Sequence, residues 1–440
     1  MIRPRKHQQE VMEFYKKNPY LGTFLWHGVG SGKTLSALWI ARFHMALCRA
    51  KGAVAPKFMV VIPKSAVPTW RKECHVNTPD LVRDMILYPY SQLSKAKGTL
   101  NYADVRLIIF DESHYIKSPE TNRAGHLAEF FQALGTVGGK FEHGKILALT
   151  GTPSPNGAHE LYTTWAMCAS PNILEAAARL VDPDRYERWK ITFSQDKKTR
   201  WETRRGGTKQ GTKYEGVKNV DKLMDYMGPI SHYVRTLDCV DIPDKQEIHV
   251  DLDLPDDKLL KDADLERPEA YMSLLERLAR AKAPYLMEWV KDYLDSNKEQ
   301  LVVFSHYTAP LYELKERHPK DVVLITGKET GELRARNIAL FQEGKVRVIA
   351  MSYKSGGESL NFQNCSVSVY AGWTWTDAGI KQAIARTYRG GQNKKTLHYF
   401  LTSGAEDSRI LGLVRRKEEA TTTIEGRMYE NNQPKLGDFL

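Results

Sequence analysis

The residues best suited to chemistry lie in two short clusters of the first half of the chain. The first is Gly28-Val29-Gly30-Ser31-Gly32-Lys33-Thr34, between a run that predicts a strand and one that predicts a helix. Glycines let backbone N–H groups close around phosphate oxygens at a helix amino terminus. Gly28, Gly30, Ser31 and Gly32 form the candidate cradle, Lys33 would reach the outer phosphates, and the Thr34 hydroxyl suits a Mg²⁺ ligand. The strict pattern begins on glycine where this chain has His27; the glycines at 28, 30 and 32 still let the loop close. The second cluster is Asp111-Glu112-Ser113-His114, directly after the apolar run 107–110. Two adjacent carboxylates at the end of a buried strand are costly unless they have a task. Beside a phosphate loop, Asp111 suits the metal side, and Glu112 suits the base that orients and deprotonates water.

The second half offers Gln382-Ala383-Ile384-Ala385-Arg386-Thr387-Tyr388-Arg389-Gly390-Gly391-Gln392. Arg386 and Arg389 share a face if the segment is helical. Such a pair can stabilise the charge that develops as a γ-phosphate is transferred. Alone, the segment reads as a basic surface helix; the phosphate loop and acidic pair upstream favour the first reading. Ser355 to Asn361 is a polar turn in which Gly356 and Gly357 permit close approach to a nucleotide or a nucleic-acid strand. Ser305-His306 holds a similar strand-end position, as does Leu149-Thr150-Gly151-Thr152-Pro153.

These residues need a frame that brings strand ends together. Short apolar runs at 23–26, 58–62, 107–110 and 146–149, then at 301–304, 322–325, 346–350, 366–370 and 397–401, alternate with helical patterns. That alternation predicts parallel sheets flanked by helices, in two α/β halves. After the first strand, Leu35, Leu38, Trp39, Phe43, Ala46 and Leu47 fall on one helix face. Residues 204–216, rich in Gly, Lys and Thr, read as a mobile loop. The halves join near 241–245, after which Ile248, Val250, Leu252 and Leu254 alternate as in a strand.

The formal charge of the 440 residues is +11, which suits a polyanionic partner. It concentrates in 185–218, where 11 Lys/Arg face 4 Asp/Glu, interleaved with Tyr186, Trp189, Phe193, Trp201 and Tyr214. That segment reads either as a grip on DNA or as a solvated loop with aromatics docked on the first half. The five cysteines form no CxxC pair, which argues against a zinc knuckle or a disulfide framework. No apolar run is long enough to span a bilayer, and the basic start lacks the apolar stretch of a signal peptide.

In order and type these motifs resemble those of the superfamily-two helicases, and closely those of the Swi/Snf-type ATPase branch. Lys6-His7-Gln8 is similar to the adenine-reading motif, with Gln8 as reader. Residues 60–70, ending in Trp70, are similar to motif Ia, and Lys117 fits its place after the acidic pair. Arg235 and the Pro243/Lys245 pair look like the junction between lobes; Gly327, Arg334 and Phe341 resemble motif IVa; 382–392 matches motif VI. The chain departs from the branch at Ser359, where glycine is usual, and at Thr376-Asp377 after Trp375.

The resemblance implies two tandem RecA-like lobes, 1–235 and 236–430, with ATP in the cleft between them and a flexible tail over 431–440. It implies ATP and Mg²⁺ as cofactors, Gly357 and Gln382 as further nucleotide contacts, and His114, Thr150 and Thr152 as the link from nucleotide state to the rest of the core. DNA contacts are expected at Lys64, Ser65 and Ser305, and at Lys197, Lys198, Arg204 and Arg205 of the basic segment. The implied activity is that of an ATP-driven translocase on double-stranded DNA, working as a monomer. The compact chain is similar to bacteriophage or bacterial members, which implies a cytoplasmic, nucleoid-associated protein. Only 362–381 separates motifs V and VI, which leaves little room for a strand-separating wedge. The alternatives are a strand-separating DNA or RNA helicase, a motor on protein–DNA complexes such as a stalled polymerase, and a non-catalytic DNA-binding adaptor. Finally, Gln433, Leu436, Phe439 and Leu440 have the spacing of the short peptides that bind replication sliding clamps. A turn would put the three apolar side chains on one side; the other reading folds them back on the second lobe.

Overall fold

The computed structural model describes residues 3–95, 104–136, 141, 143–154, 156–202, 208–254, 268–329, 331–356, 360–374 and 377–432. The chain forms two compact units. The first takes in 1–200, 209–239 and the described part of 417–440; the second takes in 240–416 and the described part of 201–208.

In the first unit, apolar runs become β1 (Gly22–His27), β2 (Lys57–Ile62), β3 (Met85–Pro89), β4 (Val105–Asp111) and β5 (Lys145–Thr150). A two-stranded ribbon follows, β6 (Gln195–Glu202) with β7 (Thr208–Glu215), of which residues 201, 202 and 208 count with the second unit, and then β8 (Ser231–Val234) in the first. The sheet runs β3-β2-β4-β5-β1-β8, and every pairing is parallel. Side chains alternate across a strand, so a strand buried on both faces must be apolar throughout. Phe24, Trp26, Ile108 and Phe110 enter one core, and Leu25, Leu107 and Ile109 the other. Three helices matter for the site: α1 (Lys6–Lys17), α2 (Lys33–Ala50) and α3 (Val67–Asn77).

The second unit repeats the plan with β9 (Lys245–Asp251), β10 (Leu301–Ser305), β11 (Val322–Ile325), β12 (Val348–Ser352), β13 (Val367–Tyr370) and β14 (Thr396–Thr402). Its order is β11-β12-β10-β13-β14-β9, again all parallel. Val302 and Phe304 face one core, Leu301 and Val303 the other. The expected fold class, parallel sheets flanked by helices in two halves, is the one observed.

Several local expectations differ. On α2 the buried residues are Ser36, Ala37, Leu38, Ile40, Ala41, His44, Met45 and Cys48; of the expected face Leu38 is fully buried, Leu35, Trp39 and Phe43 are half-buried, and Ala46 and Leu47 are exposed. Small residues let the helix lie close to the sheet, and His44 is accepted there because Tyr15 and the Arg106 carbonyl satisfy its ring nitrogens. The described part of 204–216 is ribbon rather than loop. The last helix, Gly404–Asn432, runs through the expected end of the second lobe at 430. Its end joins the first unit, where Ile424 and Met428 are fully buried. The boundary between units falls after Cys239, rather than after residue 235.

Candidate active site

Register brings the chemistry of the first unit to one edge. Trp26 pairs with Thr150, and Leu149 with Asp111. The loop after β1, the Thr150–Thr152 segment after β5 and the acidic pair after β4 therefore leave three adjacent strands at their carboxyl ends. After β1 the chain crosses to β2, three places away in the sheet. Such a reversal opens a crevice at the carboxyl edge, where open α/β sheets bind ligands.

The loop is shaped by glycine conformation and close packing. Gly30 and Gly32 have φ of 85° and 91°, a region that side-chain-bearing residues rarely adopt. A Cβ on Gly28 would come within 2.3 Å of Thr236 Oγ1, so a larger residue would push the loop off β8. Gly32 caps α2 and turns the helix amino terminus toward the loop. Lys33 Nζ donates to the carbonyls of His27 (2.9 Å) and Gly28 (3.2 Å), which places the ammonium inside the loop. From α1, His7 Nε2 lies 3.1 Å from the Ser31 carbonyl, and Gln8 Nε2 donates to the Gly32 carbonyl at 3.4 Å. Gln8 Oε1 in turn accepts from the Arg5 N–H, so the expected base reader also ties α1 to the loop.

Asp111 is held from three directions. Its Oδ2 accepts from Trp70 Nε1 at 2.7 Å, its Oδ1 from the Glu112 N–H at 3.1 Å, and its carbonyl from Tyr90 Oη at 2.9 Å. Burial and then the neighbouring Glu112 charge push its carboxyl up to about 6, opposed by the Trp70 bond and the Lys33 charge. Glu112 has φ 52° and ψ 54°, a strained conformation for a non-glycine residue that surrounding structure must enforce. Its Oε2 lies 3.3 Å from His114 Nδ1. His114 Nδ1 meets Thr150 Oγ1 at 3.0 Å, and Thr150 Oγ1 accepts from the Thr152 N–H at 3.0 Å. His114, Thr150 and Thr152, the three residues expected to transmit nucleotide state, thus form one hydrogen-bonded chain beside the candidate base. Lys117 pairs with the buried Glu160, which also accepts from Asn156 N and Nδ2.

A histidine cluster under the loop escaped the sequence reading. His27, fully buried at the position where glycine is usual, meets His232 of β8 at 2.9 Å, and His7 packs edge-on against it. Burial, then the neighbouring positive charges, lower the His27 pKa well below the usual imidazole range; burial and His7 lower that of His232 to about 4. These imidazoles are therefore neutral packing elements at neutral pH. The polar strand Ser231–Val234 gives little apolar signal, so neither β8 nor the pair was legible.

In the second unit, the helix that carries Gln382 ends at Ile384. Arg386 and Arg389 lie beyond it in a turn and not on a helix face, because Arg386 N bonds back only three residues, to Ala383. They still converge: Nη1 of Arg386 and of Arg389 donate to the Leu360 carbonyl at 3.2 and 2.9 Å. Gln392 bridges the Cys365 and Thr387 carbonyls and shapes that turn. Arg334 donates to the Ser355 carbonyl at 2.8 Å and anchors the polar turn after β12. Ser305 is buried with its hydroxyl committed to the Tyr307 carbonyl, which removes it from a surface where DNA could meet it.

The remaining expected contacts divide sharply. Lys64 and Ser65 are exposed on a short turn at the carboxyl end of β2. Tyr186, Trp189 and Phe193 are buried on the helix Pro183–Phe193 in the first unit's core, and so are not a DNA grip. Lys197 and Lys198 lie on β6, but their side chains are outside what is described. Gly357, Ser359, Trp375, Thr376, Arg204, Arg205, Gln433, Leu436, Phe439 and Leu440 lie outside the described residues. Among the described residues no helix is long and apolar enough to cross a membrane.

The helicase conserved C-terminal domain matches residues 281–391. The DNA annealing helicase and endonuclease ZRANB3 of Homo sapiens is 24% identical over 456 residues, covering 93% of this chain and 39% of that protein. The SWI/SNF-related matrix-associated actin-dependent regulator of chromatin subfamily A-like protein 1 of Xenopus laevis is 23% identical over 428 residues, covering 88% of this chain and 41% of its own length. The chain thus spans about two fifths of the length of these curated relatives. Among solved structures, the Sulfolobus solfataricus SWI2/SNF2 ATPase core in complex with dsDNA aligns over 99% of this chain and 96% of that one, with 16% identity and a TM-score of 0.37. The helicase C-terminal match and these relatives, at 23–24% identity, are in keeping with the resemblance to the Swi/Snf-type branch of the superfamily-two helicases that the motifs carry.

Proposed function

We propose that this chain hydrolyses ATP with Mg²⁺ and couples the cycle to tracking along double-stranded DNA. The observation that supports this most is the continuous set of groups at the carboxyl edge of β1, β5 and β4. It runs from Lys33 in the loop to the Asp111–Glu112 pair and along His114, Thr150 and Thr152.

The residues present fit a nucleotide and its cation. The loop has two glycines at positive φ, and the Ser31 hydroxyl is buried there with no hydrogen-bond partner. Loop N–H groups, Ser31 and Lys33 would hold phosphates, Thr34 and Asp111 the Mg²⁺, and Gln8 the base. Bound Mg²⁺ supplies charge neutralisation on the phosphate oxygens. Glu112 would orient the attacking water and take its proton, with His114 Nδ1 lying 3.3 Å from its Oε2. Arg386 and Arg389 would stabilise the charge that develops on the transferred phosphoryl group. Gly357 and Gln382 would add nucleotide contacts, and Lys64 and Ser65 DNA contacts.

Tracking without strand separation is favoured by the segment 362–381, whose described residues hold β13 and the start of the helix Asp377–Ile384. The test compares ATPase stimulation by duplex, single-stranded and forked DNA and by RNA, together with displacement of a triplex strand. Duplex stimulation with triplex displacement is expected. Efficient unwinding of a tailed duplex without triplex displacement would favour the strand-separating alternative, and an absence of ATPase activity under all conditions the adaptor. The clamp-peptide reading of 433–440 goes with this proposal: its removal should abolish clamp pull-down and leave ATPase activity intact.

A further inference from the structure

The carboxylate proposed to face Mg²⁺ is oriented by a group outside the loop and the acidic pair. Trp70 is fully buried at the start of α3, the helix that follows β2. Strand β2 pairs directly with β4, Val61 opposite Phe110, so α3 leaves the sheet beside the residue that follows Phe110, which is Asp111. The indole N–H then meets Asp111 Oδ2 at 2.7 Å, across 41 residues of sequence. An indole N–H is a donor only, carries no charge and does not titrate near neutral pH. Its ring packs in the core that also holds Phe58, Val60, Ile62, Leu107 and Ile109, so the donor direction is fixed by packing.

Each carboxylate oxygen can accept at about two lone-pair positions. Asp111 Oδ2 spends one on Trp70 and Oδ1 spends one on the Glu112 N–H, at 3.1 Å. Two donors, one on each oxygen, fix the carboxylate plane and leave one acceptor position per oxygen. Both donors are neutral, so neither competes with a cation for the charge. Donors that stand behind a metal-side carboxylate in this way orient it, and removing one typically alters affinity about 10- to 100-fold.

We propose that Trp70 is a positioning residue for magnesium: its indole N–H holds Asp111 in the orientation that receives the hydrated cation of Mg-ATP. This rests on the reading of Asp111 as the metal-side carboxylate. It predicts that the loss of Trp70 acts on the contribution of Mg²⁺ to nucleotide binding, and leaves the phosphate loop alone.

The test is equilibrium binding of a fluorescent ATP analogue to the full chain, with EDTA and across a Mg²⁺ titration. Trp70→Phe removes the donor and keeps an aromatic ring. Benzothienylalanine at position 70 keeps the indole shape with sulfur in place of N–H, and serves if the phenylalanine variant does not fold. In either variant, nucleotide affinity in EDTA should stay within about two-fold, and half-saturating Mg²⁺ should rise about ten-fold. Placed on Asp111→Asn, the same change should add nothing further, since the pair acts as one unit. An unchanged Mg²⁺ dependence in both Trp70 variants, alongside a clear loss in Asp111→Asn, would overturn this proposal alone. An unchanged Mg²⁺ dependence in Asp111→Asn would overturn the reading of Asp111 as well. Equal losses with and without Mg²⁺ in both Trp70 variants would show a merely structural tryptophan and also overturn it.

Discussion

In the first unit the candidate reactive side chains stand at or just beyond the ends of strands held in register, fixed by backbone groups and by the Trp70 indole. Lys33 donates to two loop carbonyls, and Asp111 accepts from the N–H of its neighbour and from Trp70. In the second unit the proposed chemistry falls to two arginines beyond the end of a helix, which share the carbonyl of Leu360. Both units use six parallel strands with apolar residues on both faces. The difference is therefore one of how charge is mounted. A strand end fixes a short carboxylate and a lysine near the sheet, where binding and proton transfer need small tolerances. A turn presents long guanidinium side chains, which suit charge that appears only during reaction.

The largest effects should come from the first unit. Lys33→Ala should lower kcat by about 10³-fold or more, because the loop loses the charge that faces the phosphates. Glu112→Gln should bind ATP as the parent does and lose hydrolysis to a similar degree, since an amide cannot accept the proton of the attacking water. Nucleotide binding measured beside turnover separates the two. Parental turnover in Glu112→Gln would remove Glu112 from the role of base. In the second unit, Arg386→Ala and Arg389→Ala should each cost about 10²-fold in kcat with nucleotide affinity little changed. A loss of affinity equal to the loss of kcat would mean that the arginines act on bound substrate, and the contrast between the mountings would fail.

Packing supplies the next test. Ile410 and Ile424 are both fully buried on the helix Gly404–Asn432, the first in the second unit's core and the second in the first unit's. Either change to alanine leaves a cavity worth about 2–5 kcal/mol. Ile424→Ala should lower hydrogen-exchange protection in β1 and β8, and Ile410→Ala in β10 and β13. Loss of protection in β10 and β13 on Ile424→Ala would assign the helix end to the second unit.

That helix also marks the limit of what could be read from sequence. Strand β4 was legible because a strand buried on both faces must be apolar at every position, as 107–110 is. The loop and acidic pair were legible because their chemistry demands residue types at fixed local spacing. The buried face of α2 was read only in part, with Leu38 correct, because Ala37 and Ala41 pack closely by being small and His44 is buried by virtue of two partners that only the fold supplies. The spacing of Arg386 and Arg389 pointed to convergence correctly, but the helix stops before them, so the convergence arises from a turn. The Trp70–Asp111 bond and the return of Ile424 to the first unit join residues far apart in sequence, and no local pattern encodes such pairings.

The units should also differ toward acid. In the first, His7, His27, His44, His159 and His232 all have lowered pKa values, His44 and His232 to about 4, in each case chiefly through burial. In the second, the same holds for His306 and for His398, the latter also at about 4. An unfolded histidine titrates near 6.5, so between about pH 6.5 and 4 the unfolded chain binds more protons than the folded one. Stability is then complete above about pH 6.5 and is lost as pH falls toward 4. With more such groups among its described residues, the first unit should lose exchange protection at higher pH than the second. His232→Gln should flatten that dependence in the first unit only; an equal effect in both would dissociate the acid response from this cluster.

The smallest effect concerns the ribbon β6–β7, where the basic segment divides into two parts. Its aromatic residues Tyr186, Trp189 and Phe193 are buried, and Tyr214 donates to Glu187 at 2.6 Å beneath Lys190. Those residues dock the segment on the first unit, and changing them would test stability rather than DNA binding. Lys197, Lys198, Arg204 and Arg205 are the residues proposed to hold DNA phosphates. Removing one cation that neutralises a phosphate should flatten the slope of log K against log salt by about 0.9 on duplex DNA. Replacing the four by serine should therefore weaken duplex binding at low salt and shallow the slope by up to about four such steps, with DNA-free ATPase activity retained. Ser305→Ala, in the second unit, removes no charge and a hydroxyl already committed to Tyr307, so it should leave the slope unchanged. A shallower slope in the ribbon variant alone places the phosphate grip on the basic segment 185–218. An unchanged slope in both leaves the ribbon as a solvated surface, and directs the search to Lys64 and Ser65 at the end of β2.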